Sequence, residues 1–291
     1  MYRRLLVPLD GSTAAEAILP YVRLLAPVCA ARVELLLVEQ PGRAASTVPS
    51  NEYLEATAAS LSGCPHVECR VERGDPAARI IDVSAELAGT LVAMSAHGYS
   101  GAHRWLLGGV AEKVLRAGRE PLLIVRAGEA TGSVAHLETV VVPLDGSTAA
   151  EEALPVAARL ADRLNLEVLL ARVLLGIYFE RVDDLLPFFG ASAADRRTIR
   201  ARAEAEIAEY LEQKTRRLRR QGLARVSRAV IAESTRGAAA EIIDLAEGTP
   251  HSLVAMTTRG RSAVGRWLLG SVTERVVRHS TRPVLVVRPR P

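Results

Sequence analysis

The nonapeptide PLDGSTAAE occurs twice in this chain, at Pro8–Glu16 and, letter for letter, at Pro143–Glu151, an offset of 135 residues. RWLLG at Arg104–Gly108 returns at Arg266–Gly270 with an offset of 162, and PLLIVR from Pro121 is answered by PVLVVR from Pro283 at that same larger offset. A period this long excludes a solenoid and marks the tandem duplication of a whole domain. The second copy carries 27 more residues than the first (162 less 135), placed within about 175–222. A length of 291 residues accommodates two domains of ordinary size. The expected division is 1–128 and 137–291, joined through the small, polar, glycine-bearing AGEATGSVAHLE at Ala127–Glu138.

Each copy alternates strands with helices. RRLLVPLD and ETVVVPLD are continuous apolar runs, which suits strands buried on both faces of a parallel sheet. Their proline must sit at the strand end, where its missing N–H costs little. Thr13 with Glu16, and Thr148 with Glu151, fit a Ser/Thr-x-x-Glu capping box at the following helix start. RVELLLVEQ and LEVLLARVL read as second strands, VECRVERG and RVSRAVIAES as third, TLVAMS and SLVAMT as fourth, and the PLLIVR and PVLVVR runs as fifth. DPAARIIDVSAEL and AAAEIIDLAEG read as helices. The pattern predicts an α/β protein of two tandem doubly wound open sheets, Rossmann-like, each of five mostly parallel strands, packed as a pseudo-symmetric pair.

The extra residues of the second copy include DRRTIRARAEAEIAEYLEQKTRRLRRQG, which reads as one long helix. Its KTRRLRR, Lys214–Arg220, is read as a solvated helix end with cations at the negative dipole terminus rather than a nucleic-acid contact. LLGIYFERVDDLLPFFG, just before it, holds all three phenylalanines and reads as a lid or contact surface.

A net charge of +4 does not call for nucleic acid. Three cysteines, Cys29, Cys64 and Cys69, make no disulfide framework and suit a reducing compartment. CPHVEC brings His66 between two of them, but with no fourth ligand it reads as a turn beside a strand. The N-terminal apolar run stops at Pro8 and Asp10, and no run approaches a membrane span, so a cytoplasmic protein without a membrane partner is expected.

In each copy the fourth strand runs into a glycine-bearing stretch, MSAHGYSGAHRWLLGGV at Met94–Val110 and MTTRGRSAVGRWLLGSV at Met256–Val272. One glycine follows the strand (Gly98, Gly260), and another stands ten residues on (Gly108, Gly270), just before an amphipathic helix. Strand ends of open α/β sheets border the ligand crevice. A helix start offers free N–H groups and a positive dipole end, a site for phosphate, and glycine lets the phosphate approach the backbone. Ser271 with Glu274 makes a further Ser-x-x-Glu box, so Ser271 either caps the helix or donates its hydroxyl to phosphate; Gly109 does neither. The second copy is therefore expected to hold phosphate better. His97 and Arg259 occupy equivalent places, and the always ionised Arg259 is the better phosphate partner. Trp105 and Trp267 read as loop anchors or interdomain contacts rather than adenine stacks. Asp10 and Asp145, ahead of a glycine, read either as turn or N-cap residues or as acceptors for an adenine amino group. There is no Walker A motif, because neither lysine follows a glycine; GYSG has the wrong spacing for a nucleophile elbow; and no His-rich or paired-Cys metal signature appears.

Along essentially its full length the chain resembles a tandem universal stress protein. Nucleotide-binding members of that family carry G-x-x-G, nine residues, then G-Ser/Thr. Thr257, Gly260, Gly270 and Ser271 match in the second copy, and Ser95, Gly98, Gly108 and Gly109 in the first, with Ser or Thr at the first glycine of the pattern. The resemblance implies that Asp10 and Asp145 face the adenine and that Val38 and Val173 touch it. It implies a second-copy site of Pro143, Leu144, Asp145, Val173, Met256, Thr257, Arg259, Gly260, Gly270, Ser271 and Val272. It further implies ATP or another adenine nucleotide, with Mg2+ at the phosphates, fifth strands paired between the two domains, and a homodimer of such chains. Three functions follow: a nucleotide-binding stress-response module that acts through an unidentified protein partner; a slow ATPase, which lacks a clear base or metal-binding acid; and a nucleotide-free interaction protein. The first is the reading taken.

Overall fold

The computed structural model describes residues 2–42, 48–97, 107–126, 135–175, 193–234, 236–258 and 269–288. In the first repeat the order is β1 (Arg4–Leu9), α1 (Thr13–Glu16), α2 (Leu19–Cys29), β2 (Arg32–Glu39), α3 (Ser50–Ser60), β3 (Val67–Arg73), α4 (Pro76–Ala85), β4 (Thr90–Ser95), α5 (Gly109–Ala117) and β5 (Leu122–Val125). The second follows the same plan: β6 (Thr139–Pro143), α6 (Thr148–Glu151), α7 (Leu154–Leu164), β7 (Glu167–Leu175), α8 (Ala193–Arg220), β8 (Val226–Ser234), α9 (Ala238–Gly248), β9 (Ser252–Thr257), α10 (Ser271–His279) and β10 (Val284–Val287). The expected α/β architecture of two doubly wound repeats is what the chain adopts.

All ten strands join one sheet in the order β3-β2-β1-β4-β5-β10-β9-β6-β7-β8. Every pairing is parallel except β5 with β10, which is antiparallel. That seam pairs Leu123 with Leu285, its own counterpart at the 162-residue offset, and the flanking pairs are Ile124 with Val284 and Leu122 with Val286. A pseudo-twofold axis therefore passes between Leu123 and Leu285. Both side chains are buried, and one cluster of core residues runs through the seam from repeat to repeat.

Charged side chains obey the same axis. Glu112 and Arg116 of α5 and their counterparts Glu274 and Arg278 of α10 close a ring of four contacts: Arg116–Glu112 3.2 Å, Arg116–Glu274 2.8 Å, Arg278–Glu274 3.0 Å and Arg278–Glu112 3.5 Å. Arg288 crosses the seam to donate to the Val114 and Leu115 carbonyls in the last turn of α5, at 3.3 and 2.6 Å. Its counterpart Arg126 donates to the Ser280 carbonyl that ends α10, at 2.8 Å. Each cation meets the negative end of the other repeat's helix.

The helix starts differ from the capping boxes expected. Ser12 and Ser147, one residue earlier, are the N-caps, accepting from the N–H groups of Ala15 and Ala150 at 3.1 Å. Glu16 and Glu151 fall one position past the reciprocal site and accept instead from the hydroxyls of Tyr53 and Tyr210, each at 2.9 Å. This matched pair also explains the long helix of the second repeat. Tyr53 stands on α3 and Tyr210 on α8, and both helices pack on the second and third strands of their repeats. The 28-residue α8 thus takes the place that the 11-residue α3 holds in the first repeat. Lys214 of the basic run also bonds Glu151, at 2.7 Å, and Arg216 pairs with Glu212 at 2.8 Å. The aromatic stretch before α8 lies largely outside the described residues, as do Trp105 and Trp267.

Cys64, His66 and Cys69 bring no metal-binding group together among the described residues. All three cysteines are free. Burial pushes the half-buried Cys29 thiol up to about 11 and also raises Cys64 and Cys69, of which Cys69 alone is exposed. Because the thiolate is the nucleophile, alkylation at pH 8 is expected to reach Cys69 first and Cys29 last, read by peptide mass mapping over time. Among the described residues no helix is long and apolar enough to cross a membrane.

Candidate functional site

The crevice begins with a proline. Pairing of β1 with β4 runs from Arg4 to Leu6 and stops there, while β1 stays paired with β2 as far as Leu9. Pro8 lies beyond the end of the β4 ladder and has no N–H with which to extend it. The second repeat does the same: β6–β9 pairing ends at Val141, and Pro143 stands past it. Because β1 is followed by β2 on one side and lies against β4 on the other, this gap is the topological switch point, where open α/β sheets take ligands.

In the first repeat the gap widens into a cavity of about 360 Å³. It is lined by Pro8, Leu9 and Asp10 from the end of β1, Met94, Ser95, Ala96 and His97 from the end of β4 and beyond, Gly108, Gly109, Val110 and Ala111 from the start of α5, and Val38 and Gln40 from the end of β2 and just past it. The buried Leu36 and Ile80 add apolar lining, as does Pro76. Asp10, Val38, Ser95, Gly108 and Gly109, named from sequence, thus share one cavity, while Gly98 lies outside the described residues. Pro76 and Ile80 were missed. Pro76 is the half-exposed first residue of α4 and Ile80 belongs to its buried stripe, whose sequence signal is an amphipathic period that does not distinguish a core face from a site wall.

Local structure orients the carboxylate. Oδ1 of Asp10 accepts from the Ser12 N–H at 3.0 Å and from its hydroxyl at 2.6 Å. Gly11 between them has φ +83°, the left-handed region that glycine enters without penalty. Asp145, Gly146 and Ser147 repeat the turn, with distances of 2.9 and 2.6 Å and φ +87° at Gly146. Both readings of these aspartates are therefore compatible: each is a turn residue, and Asp10 also borders the cavity.

Gly108 is the N-cap of α5 and Gly270 of α10, with backbone in the β region and no side-chain cap. Each anchors back to the preceding strand exit, Gly108 N–H to the Ala96 carbonyl at 2.8 Å and Gly270 N–H to the Thr258 carbonyl at 2.7 Å. A Cβ on Gly108 would stand 3.0 Å from that Ala96 oxygen, so glycine here permits a close backbone approach. Ser271 is the first residue inside α10 rather than its cap; it is exposed, and Glu274 turns to Arg116 and Arg278 instead of back to the cap. Of its two expected roles, capping is not the one adopted.

Ser95 and Thr257 end their strands and are buried. In the second repeat the Thr273 hydroxyl donates to the Thr257 carbonyl at 2.8 Å, a tie absent from the first, where Ala111 stands at that position. Val173 occupies the position of Val38, but the β7–β8 register shifts between Val173 and Leu175. Arg172 lies over the Tyr210 ring at 5.1 Å, with its guanidinium about a Cβ contact from Gly146. Pro143, Leu144, Met256 and Val272 are at the corresponding crevice positions; Arg259 and Gly260 lie outside the described residues.

Fold and crevice define a tandem pair of doubly wound α/β domains, each with a glycine-capped helix start beside its switch point. The universal stress protein family model matches residues 1–126 and 136–288, and the chain belongs to that family. A universal stress protein of Methanocaldococcus jannaschii is 30% identical over 150 residues, 51% of this chain and 81% of its own. Another, from Mycolicibacterium smegmatis, is 28% identical over 228 residues, 77% of this chain and 69% of its own. The crystal structure of a universal stress protein from Archaeoglobus fulgidus shares the fold over 99% of both chains, with a TM-score of 0.67 at 21% identity.

Proposed function

We propose that this chain is an adenine-nucleotide-binding module of the stress response, without a chemical step of its own, whose occupancy changes what a protein partner meets at the crevice. The observation that carries the reading is the first-repeat cavity, which gathers Asp10, Val38, Ser95, Gly108 and Gly109 at the start of α5. Its volume lies in the usual range for small-molecule sites. The phosphates would lie at the N–H groups that open α5. The adenine would lie against Val38 and Ile80, with its amino group toward Asp10. Among the described residues Asp10 is the one carboxylate lining the cavity, and it is held by Ser12. An accompanying Mg2+ would therefore be coordinated by phosphate oxygens and water.

The second repeat has the same turn, the same N-cap glycine and, in addition, Ser271, which supports a second and tighter site there. Calorimetric titration of the nucleotide-stripped protein with ATP tests the reading. Saturable heat supports it; no heat from a folded protein favours the interaction-scaffold alternative. Gly109→Ser transfers the second repeat's hydroxyl to the first. Among the described residues a Cβ on Gly109 meets nothing within 4 Å, so the change crowds none of them. A hydrogen bond to a charged phosphate oxygen should tighten first-repeat binding about tenfold, roughly 1.4 kcal/mol. An unchanged first-repeat affinity would mean that phosphate does not reach this helix start.

A further inference from the structure

At the ends of the strands opposite the crevice, three potential ligands meet, two of them neighbours in sequence and the third more than a hundred residues further on. His136 and Glu138 precede β6, just past the join of the repeats, and His251 precedes β9. Ala135 and Leu137 are buried while His136 and Glu138 are exposed, so the alternation turns both ligands to one side. The backbone fixes the two segments together. The Glu138 N–H donates to the His251 carbonyl at 2.9 Å, and the Glu138 carbonyl accepts from the Glu167 N–H at 2.8 Å. His136 Nε2 and Glu138 Oε1 are 2.9 Å apart, and the two imidazoles stand edge to face with centroids at 4.7 Å. One donor atom from each of the three residues lies within 4.8 Å of the others.

We propose that His136, Glu138 and His251 form a site for a divalent transition metal of the zinc type. Two imidazole nitrogens and one carboxylate oxygen are a donor set that zinc accepts with water in the fourth position, and imidazole favours Zn, Ni or Cu over Mg or Ca. Bonds of about 2.0–2.1 Å space tetrahedral ligands roughly 3.4 Å apart, within reach of rotation by these exposed side chains with the backbone held. His251 adds an independent observation. It adopts φ +47°, whereas the matching position in the first repeat, at the 162-residue offset, is Gly89 with φ +84°. The second repeat thus holds a side chain in the backbone region where the first has glycine, and that side chain is the one that completes the triad. A bound ion would staple the segment joining the repeats to the second repeat.

The test uses the full chain without a polyhistidine tag, freed of metal by chelation. Titration with Zn2+ by calorimetry is expected to show one ion per chain. His251→Gly introduces the residue of the first repeat, compatible with the local backbone, and His136→Ala removes an exposed side chain. Each should weaken binding by more than about tenfold, since even changes outside the ligand set cost that much, with the far-ultraviolet circular dichroism unchanged. Co2+ in place of Zn2+ should give d–d bands without thiolate charge-transfer absorption. No saturable uptake, binding unchanged in both variants, or a thiolate band pointing to Cys29, Cys64 or Cys69 would overturn the proposal.

Discussion

Gly108→Asp is expected to lower ATP affinity in the first repeat about a thousandfold while the protein stays folded. Gly108 has φ −61° and ψ 146°, which any residue can adopt, and aspartate is a favoured N-cap. A side chain here must push against the Ala96 carbonyl, 3.0 Å from its Cβ, and the new cap bond, worth about 1 kcal/mol, offsets that crowding. For ATP the same change is adverse twice over. The carboxylate occupies the helix N–H groups the phosphates need. It also sets a negative charge about 4 Å from them, which at an effective dielectric near 20 costs roughly 4 kcal/mol. Gly270→Asp should act likewise on the second repeat. With two sites, either variant leaves one set of binding heats in calorimetry and the double variant leaves none. If Gly108→Asp left first-repeat binding intact, the cavity beside α5 would not be the nucleotide site.

Arg4→Ala should cost about 3–5 kcal/mol of stability, the range for breaking a buried ion pair by removing one partner. Arg4 is 1% exposed. It donates to Glu34 at 2.7 Å, to Thr90 at 3.0 Å and to the Val83 and Ser84 carbonyls at 2.6 and 3.2 Å, which also caps the end of α4. Among the described residues alanine leaves the buried Glu34 with only Arg70, 3.5 Å away and partly in solvent, and leaves two carbonyls without this donor. The second repeat solves the same position differently, with Thr139 for Arg4, Leu169 for Glu34 and Ser252 for Thr90; there the Ser252 hydroxyl donates to the Ala246 carbonyl at 2.7 Å. The paired change Arg4→Thr with Glu34→Leu should therefore recover most of the loss, because replacing both members of a buried pair by less polar groups is often neutral. Urea denaturation followed by circular dichroism measures all three proteins. A loss under about 1 kcal/mol in Arg4→Ala would mean that Glu34 is adequately solvated without its partner.

Much of the molecule was legible because it is written in local pattern. Continuous apolar runs such as RRLLVP and TLVAMS become strands buried on both faces, and the duplicated PLDGSTAAE becomes the same Asp-Gly-Ser turn twice, with nearly equal distances. The crevice residues were legible for the same reason: they lie at strand exits and helix starts, where glycine, proline and aspartate have specific backbone uses. The capping boxes failed by one residue. DGST offers two adjacent hydroxyls, and the Asx turn made by Asp10 selects Ser12 over Thr13 before the helix begins.

What the chain alone determined, then, is the repeat, the order of its elements and the position of the crevice, since each depends on spacings of a few residues. Only the tertiary structure decided the self-matched register of Leu123 with Leu285, the equivalence of α8 with α3 through Tyr210 and Tyr53, the entry of Ile80 into the cavity wall, and the meeting of His136 with His251. Each joins residues far apart in the chain. Periodicity and propensity record how a residue sits among its near neighbours; they carry no record of which distant surface will cover it when the sheet closes.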